Sequence, residues 1–271
     1  MDRARLCLLL ACVWLSAVAS AEEVAFTLVS PFSRNEELVR RMVSRADAAA
    51  LTEGLAKQGK RMAEQPIDPA QEHFILHVPP VAPEGGYALL VFVPPWQQAR
   101  IPRGWDEVLD RLGVIYVSAA RSGNEEITLA RREPLALIAA ANVMARYKVD
   151  PARVFVGGFS GGSRVAERLA LGYPDLFRGA LLDAGSDRIG ESDLPLPPDE
   201  LLKRFREESR LVFVTGEADS INIRLDGDTM RSLDEAGMSR YVSQSVPWLG
   251  HAVLPAVAFE AAMKALLGSG S

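Results

Sequence analysis

Cysteine is almost absent from this 271-residue chain: the sequence holds two, Cys7 and Cys12, both near its start. A body without cysteine excludes disulfide staples, a thiol nucleophile and cysteine-based metal sites. Histidine is scarce as well, with His73, His77 and His251 the three available, so any chemistry that needs an imidazole must use one of them. Positive charge is not in excess. Thirty Lys and Arg against 35 Asp and Glu give a formal charge of −5, with no dense basic stretch, which argues against nucleic acid as a partner. A hydrophobic fraction of 48% with 24% charged residues excludes a disordered chain and fits one globular domain with a substantial core.

The first residues differ from the rest. Arg3 and Arg5 precede an apolar run from Leu6 to Leu15, and the small residues Ala17, Ala19 and Ala21 follow. This is the pattern of a signal peptide cut after Ala21, and the run is too short for a comfortable membrane span. A buried N-terminal helix is the plain structural alternative. Leu9-Leu10-Ala11-Cys12 also resembles a lipobox, which would anchor a lipoprotein at Cys12. Export to the periplasm or beyond is the leading expectation, with no membrane span left after cleavage. Both cysteines would then be lost, and the charge would move to −6 with Arg3, Arg5 and Asp2 removed.

Three units are expected: residues 1–21 as signal, 22–72 as a strand and helical segment packed on the body, and 73–271 as the main domain. Val24 to Val29 reads as a strand, and Ser33-Arg-Asn-Glu36 has the form of a capping box opening a helical stretch to about Glu64. Thr52 and Gly54 suggest a break into two helices. Leu38, Met42 and Ala46 fall on one face. From residue 73, strands predicted at Phe74–Val78, Tyr87–Val93, Val114–Ser118, Val154–Gly157, Gly179–Leu182, Leu211–Thr215 and Tyr241–Val246 alternate with helices near 105–112, 133–147, 162–171, 199–207, 226–236 and 255–267. Runs such as Ala88-Leu-Leu-Val-Phe-Val93 are apolar on both faces and need helical cover on both sides. The fold class is therefore α/β, a doubly wound, mostly parallel sheet whose functional crevice lies at the carboxyl ends of the strands.

At that edge Gly158-Phe-Ser160-Gly-Gly162 matches G-x-S-x-G between an apolar strand and an amphipathic helix. The sharp turn lifts the serine hydroxyl clear of the sheet, and a Cβ at Gly158 or Gly162 would crowd the crossing. A glycine-rich nucleotide loop would instead follow the first strand. Ser160 needs a base, and His251 follows the last strand, whereas His73 and His77 flank or lie in an outer one and read as surface or strand-filling residues rather than metal ligands. The base needs an orienting carboxylate from a loop between nucleophile and histidine. Asp219 is the first candidate, Asp187 the second and Glu217 the third. The order Ser160, Asp219, His251 is that of an α/β-hydrolase. Two N–H groups should receive the oxyanion: Gly161, and one from the loop after Val93. Pro94 and Pro95 carry no N–H, so Trp96 is the first possible donor there; the plain alternative is an aromatic lining the cleft.

Val149-Asp-Pro-Ala-Arg-Val-Phe-Val-Gly-Gly-Phe-Ser160-Gly-Gly, Tyr173-Pro-Asp-Leu-Phe177, Val214-Thr-Gly-Glu-Ala-Asp219 and Gly250-His251 together resemble the secreted α/β-hydrolases grouped with polyhydroxybutyrate-depolymerase-like and feruloyl-type esterases. The resemblance covers residues 73 to 267 and implies hydrolysis of a small or oligomeric carboxylic ester through an acyl-enzyme, with no cofactor and no metal. Such enzymes usually carry His-Gly where this chain has Pro94-Pro95. The short segment between Leu182 and Leu211, with Pro195, Pro197 and Pro198, leaves little room for a large lid. Loops holding Arg121 and Asn124 are expected to shape the pocket. A secreted peptidase using the same triad, and a non-catalytic binding protein on the same fold, are the rival readings.

Overall fold

The computed structural model describes residues 21–268, and the signal-peptide and cysteine readings lie outside them. Eight strands form one sheet: β1 (Glu22–Val24), β2 (Phe74–His77), β3 (Tyr87–Val93), β4 (Val114–Ala119), β5 (Val149–Phe159), β6 (Gly179–Asp183), β7 (Arg210–Gly216) and β8 (Tyr241–Val246), in the order β1-β2-β4-β3-β5-β6-β7-β8. Strands β3 to β8 are parallel, and β1 and β2 are antiparallel additions at one edge. The helices are α1 (Asn35–Met42), α2 (Arg45–Lys57), α3 (Trp105–Leu112), α4 (Glu133–Arg146), α5 (Gly161–Gly172), α6 (Asp199–Glu208), α7 (Ser220–Glu235) and α8 (Ala256–Leu267).

The doubly apolar strands are covered as their composition requires. On one face Leu89, Val91, Val154 and Val156 pack with Leu137 of α4 and Leu169 of α5. On the other, Leu90, Phe92 and Phe155 pack with Trp105 of α3 and Phe259 of α8, whose rings stack at 3.7 Å between centroids. Removing apolar surface of this extent from water is the main drive to the fold. Among the described residues no helix is long and apolar enough to cross a membrane.

The N-terminal segment departs from expectation in three ways. The strand predicted from Val24 to Val29 stops at Val24, because Asn142 of α4 takes over: its side chain accepts from Leu28 N (3.0 Å) and donates to Leu28 O (2.8 Å). Phe26 is buried instead against Phe74. Ser33 does not cap α1, since its hydroxyl donates to Ser30 O within a short 3₁₀ turn. The helical stretch breaks at Val43-Ser44, not near Gly54, with Ser44 Oγ accepting from Asp47 N as the cap of α2. Leu38 and Met42 are buried, but Ala46 is exposed and α2 buries nothing, so Gly54 sits in open space.

Glu167 of α5 is 1% exposed; one oxygen accepts from Asp187 N at 2.7 Å and the other has no partner. Burial pushes its carboxyl well above the ordinary 4.5, against the pull of the Asp187 N–H. The folded protein therefore keeps a proton that the unfolded chain releases as pH rises above 4.5, so stability falls with rising pH over that interval. Glu167→Gln removes this linkage. Urea midpoints should fall less from about pH 5 to about pH 8 in the variant than in the wild type; parallel declines would contradict the assignment.

Candidate active site

Ser160 joins β5 to α5 with φ 55° and ψ −123°, a conformation that costs about 1–3 kcal/mol for a non-glycine residue. Packing enforces it. A Cβ on Gly158 would overlap the Gly162 backbone, and one on Gly162 would overlap the Val93 carbonyl. Ser160 N donates to Asp183 O at 2.8 Å, tying the turn to the end of β6. Among the described residues four non-glycine residues have positive φ: Arg121, Ser160, Ala184 and Trp248. They follow β4, β5, β6 and β8 respectively, so backbone strain collects along the carboxyl edge of the sheet.

His251, in the loop after β8, bridges two groups. Its Nε2 lies 2.9 Å from Ser160 Oγ, and its Nδ1 lies 2.6 Å from Asp219 Oδ2. The imidazole is 45% exposed and Asp219 6%, leaving the base open to substrate and its carboxylate shielded. Asp219 caps α7: Oδ1 accepts from Asn222 N (3.3 Å) and Oδ2 from Asn222 Nδ2 (2.8 Å). Burial pushes its carboxyl up, but the hydrogen bonds from Asn222 and His251 outweigh that and hold it below the usual aspartate value. An ionised Asp219 fixes the proton on Nδ1 and leaves Nε2 as acceptor for the serine hydroxyl.

The other sequence candidates lie elsewhere. Asp187 is ion-paired with Arg164, and Glu217 is exposed. His73 is exposed beside Glu23, and His77 is buried against Asp110 at 2.8 Å. Gly161 stands at the first position of α5, and Trp96 follows Pro94-Pro95 beyond β3. Among the described residues neither N–H has a hydrogen-bond acceptor. The Trp96 ring also lines the site, tilted against Phe159, which in turn lies 5.0 Å from the His251 ring. A cleft of roughly 580 Å³ runs from Gly161 along α5, walled by Asn124, Leu129, Arg164, Arg168 and Asp187.

Asn222 escaped the sequence reading, which began α7 at Asp226. The helix starts six residues earlier, at Ser220. Ile221 and Ile223 on its first turn are exposed, so no apolar stripe announced it. The available signal was Asp219 itself as an N-cap, which would have placed Asn222 in the first turn facing it.

The fold has relatives among solved structures. The chain matches a candidate dipeptidyl aminopeptidase IV from Bacteroides ovatus (16% identity, 93% of this chain, 36% of that one, TM-score 0.55). It also matches the S-formylglutathione hydrolase of Staphylococcus aureus (10% identity, 73% and 92%, TM-score 0.56). The chain has the α/β-hydrolase fold. The poly(3-hydroxybutyrate) depolymerase of Bordetella parapertussis is matched as well, at 15% identity, 66% and 78% coverage and TM-score 0.49. The chain spans only about a third of the length of the peptidase matched first. No family model and no curated protein matches it.

The geometry ranks the carboxylates. Asp219→Asn should reverse the Nδ1 hydrogen bond and lower kcat by about 10⁴-fold, whereas Asp187→Asn should leave kcat within about threefold. Steady-state kinetics on purified variants checks both, and a larger loss at Asp187 would overturn the ranking.

Proposed function

We propose that this protein is a serine hydrolase that cleaves carboxylic esters, with Ser160 as nucleophile, His251 as general base and Asp219 as its orienting carboxylate. The observation that carries the proposal is the single imidazole spanning Ser160 Oγ and Asp219 Oδ2. His251 Nε2 accepts the hydroxyl proton as Oγ attacks the ester carbonyl, and Asp219 steadies the imidazolium that results. The Gly161 N–H, at a helix N-terminus, and the Trp96 N–H receive the oxyanion. The intermediate collapses as His251 returns the proton to the leaving alcohol. Water, deprotonated by the same imidazole, then releases the acid from Ser160.

The choice of ester over amide rests on the resemblance to the polyhydroxybutyrate-depolymerase-like and feruloyl-type esterases, carried by the motifs around Ser160, Asp219 and His251. Residues 184–198, between β6 and α6, form no helix or strand, and Asp187 and Asp193 of that stretch wall the cleft. Export is part of the same reading. A cut after Ala21 would leave β1, which begins at Glu22, whole.

A fluorophosphonate probe should label the wild-type protein and not Ser160→Ala. Wild type should then hydrolyse short p-nitrophenyl esters at least about 10²-fold faster than peptide p-nitroanilides. Absence of labelling would refute the hydrolase, and the opposite substrate ranking would favour a peptidase.

A further inference from the structure

The loop Pro94-Pro95-Trp96-Gln97 has lost two N–H groups, yet it must hold one donor in register with Ser160. It is held by its carbonyls. Pro94 O accepts from Arg132 Nη2 (3.1 Å), Pro95 O from Asn124 N (3.0 Å) and Gln97 O from Arg121 N (2.6 Å). All three donors lie on residues 121–132. A Cβ on Gly123 would stand 2.8 Å from the Trp96 carbonyl carbon, so this segment lies flush against the loop.

The clamp also sets a direction. In a trans peptide the C=O and N–H point oppositely, and no peptide bond here is cis. With the Pro95 carbonyl aimed at Asn124 N, the Trp96 N–H is turned away from the clamp. The segment itself is stiff. Arg121 has φ 50°, its carbonyl accepts from Arg131 Nε at 2.8 Å, and both arginines pair with the buried Glu72.

Arg132 is the unusual member. It is 4% exposed, and its guanidinium joins the two loops, Nε donating to Ser122 O (2.9 Å) and Nη2 to Pro94 O. Among the described residues no carboxylate forms an ion pair with it. Its hydrogen bonds go to neutral carbonyls, and the nearby Glu133 and Glu126 carboxylates offset only part of its lost hydration, so burial lowers its pKa from 12.5 to about 10. Its positive charge is held on the Pro94 carbonyl, two residues before the Trp96 donor, and favours negative charge developing there.

We propose that Arg132 is a positioning residue for the oxyanion hole: it aligns the proline-bearing loop from outside, so that the Trp96 N–H serves the transition state. The inference rests on the hydrolase reading above. Losing it should therefore act on kcat and spare KM.

With a short p-nitrophenyl ester, Arg132→Gln should lower kcat by about 10²-fold, with KM within about threefold, and slow fluorophosphonate labelling in parallel. Arg132→Lys keeps the charge without the fork that spans two carbonyls, and should fall between the two, about tenfold down. Gly123→Ala, which pushes on Trp96 while leaving Arg132 in place, should also lower kcat with KM kept, and it decides the matter if the Arg132 variants do not fold. Folded variants with kcat within about threefold of wild type, or a loss carried by KM, would overturn the proposal. A wild-type protein that neither turns over nor labels would instead overturn the hydrolase reading.

Discussion

The site depends on one strained turn. Ser160 holds φ 55° between two glycines that allow β5 and α5 to cross without a Cβ between them, and its N–H is spent on the end of β6. Such a conformation persists only where surrounding structure over-determines it. Here the determinants are the strands themselves: Val93 at the end of β3 pairs with Gly158 of β5, and Phe159 at the end of β5 pairs with Asp183 at the end of β6. A parallel sheet with both faces buried is a stiff frame, and four strained residues along its carboxyl edge are supported by it. Core packing thus reaches the reacting atoms through one backbone turn.

Electrostatics then selects among carboxylates. Asp183, Glu167, Asp219 and Asp226 are all buried near this edge. Burial drives Asp183, Glu167 and Asp226 above their ordinary values. Asp219 moves the other way because Asn222 supplies two N–H donors and His251 a third. Hydrogen bonding to the charged form has outweighed desolvation at that one position. The site therefore holds Asp219, in contact with the imidazole, toward its charged form and its buried neighbours toward the neutral form. The same separation of similar groups by environment sets acid and base roles in many enzymes.

How much of this could be read from the residues follows from the range of the forces involved. The sheet and helices after residue 73 were legible because continuous apolar runs and 3.6-residue stripes report local burial directly; the predicted bounds Tyr87–Val93 and Tyr241–Val246 are those observed. Ser160, Asp219 and His251 were legible as types in an order. The N-terminal strand was not, because its partner is the Asn142 side chain, more than 110 residues away. Asn222 and Arg132 were not legible either. Each acts through a hydrogen bond to a group whose position is a property of the assembled edge, and neither stands in a periodic pattern.

In the sequence, Pro94-Pro95 stands where the esterases that the chain resembles carry His-Gly, and takes two N–H groups out of the loop. The fold gives a different account of the same residues. Proline removes N–H groups but restricts φ, so a loop carrying two of them has fewer conformations to lose and three carbonyls by which it can be held. Arg121, Asn124 and Arg132 supply those acceptors with donors, and Gly123 lets them approach. A loop anchored through its own N–H groups spends donors on its anchoring, whereas one anchored through its carbonyls keeps its remaining N–H for the substrate. The proline pair and the buried arginine thus form one arrangement, and a change in either side of it should be felt at Trp96.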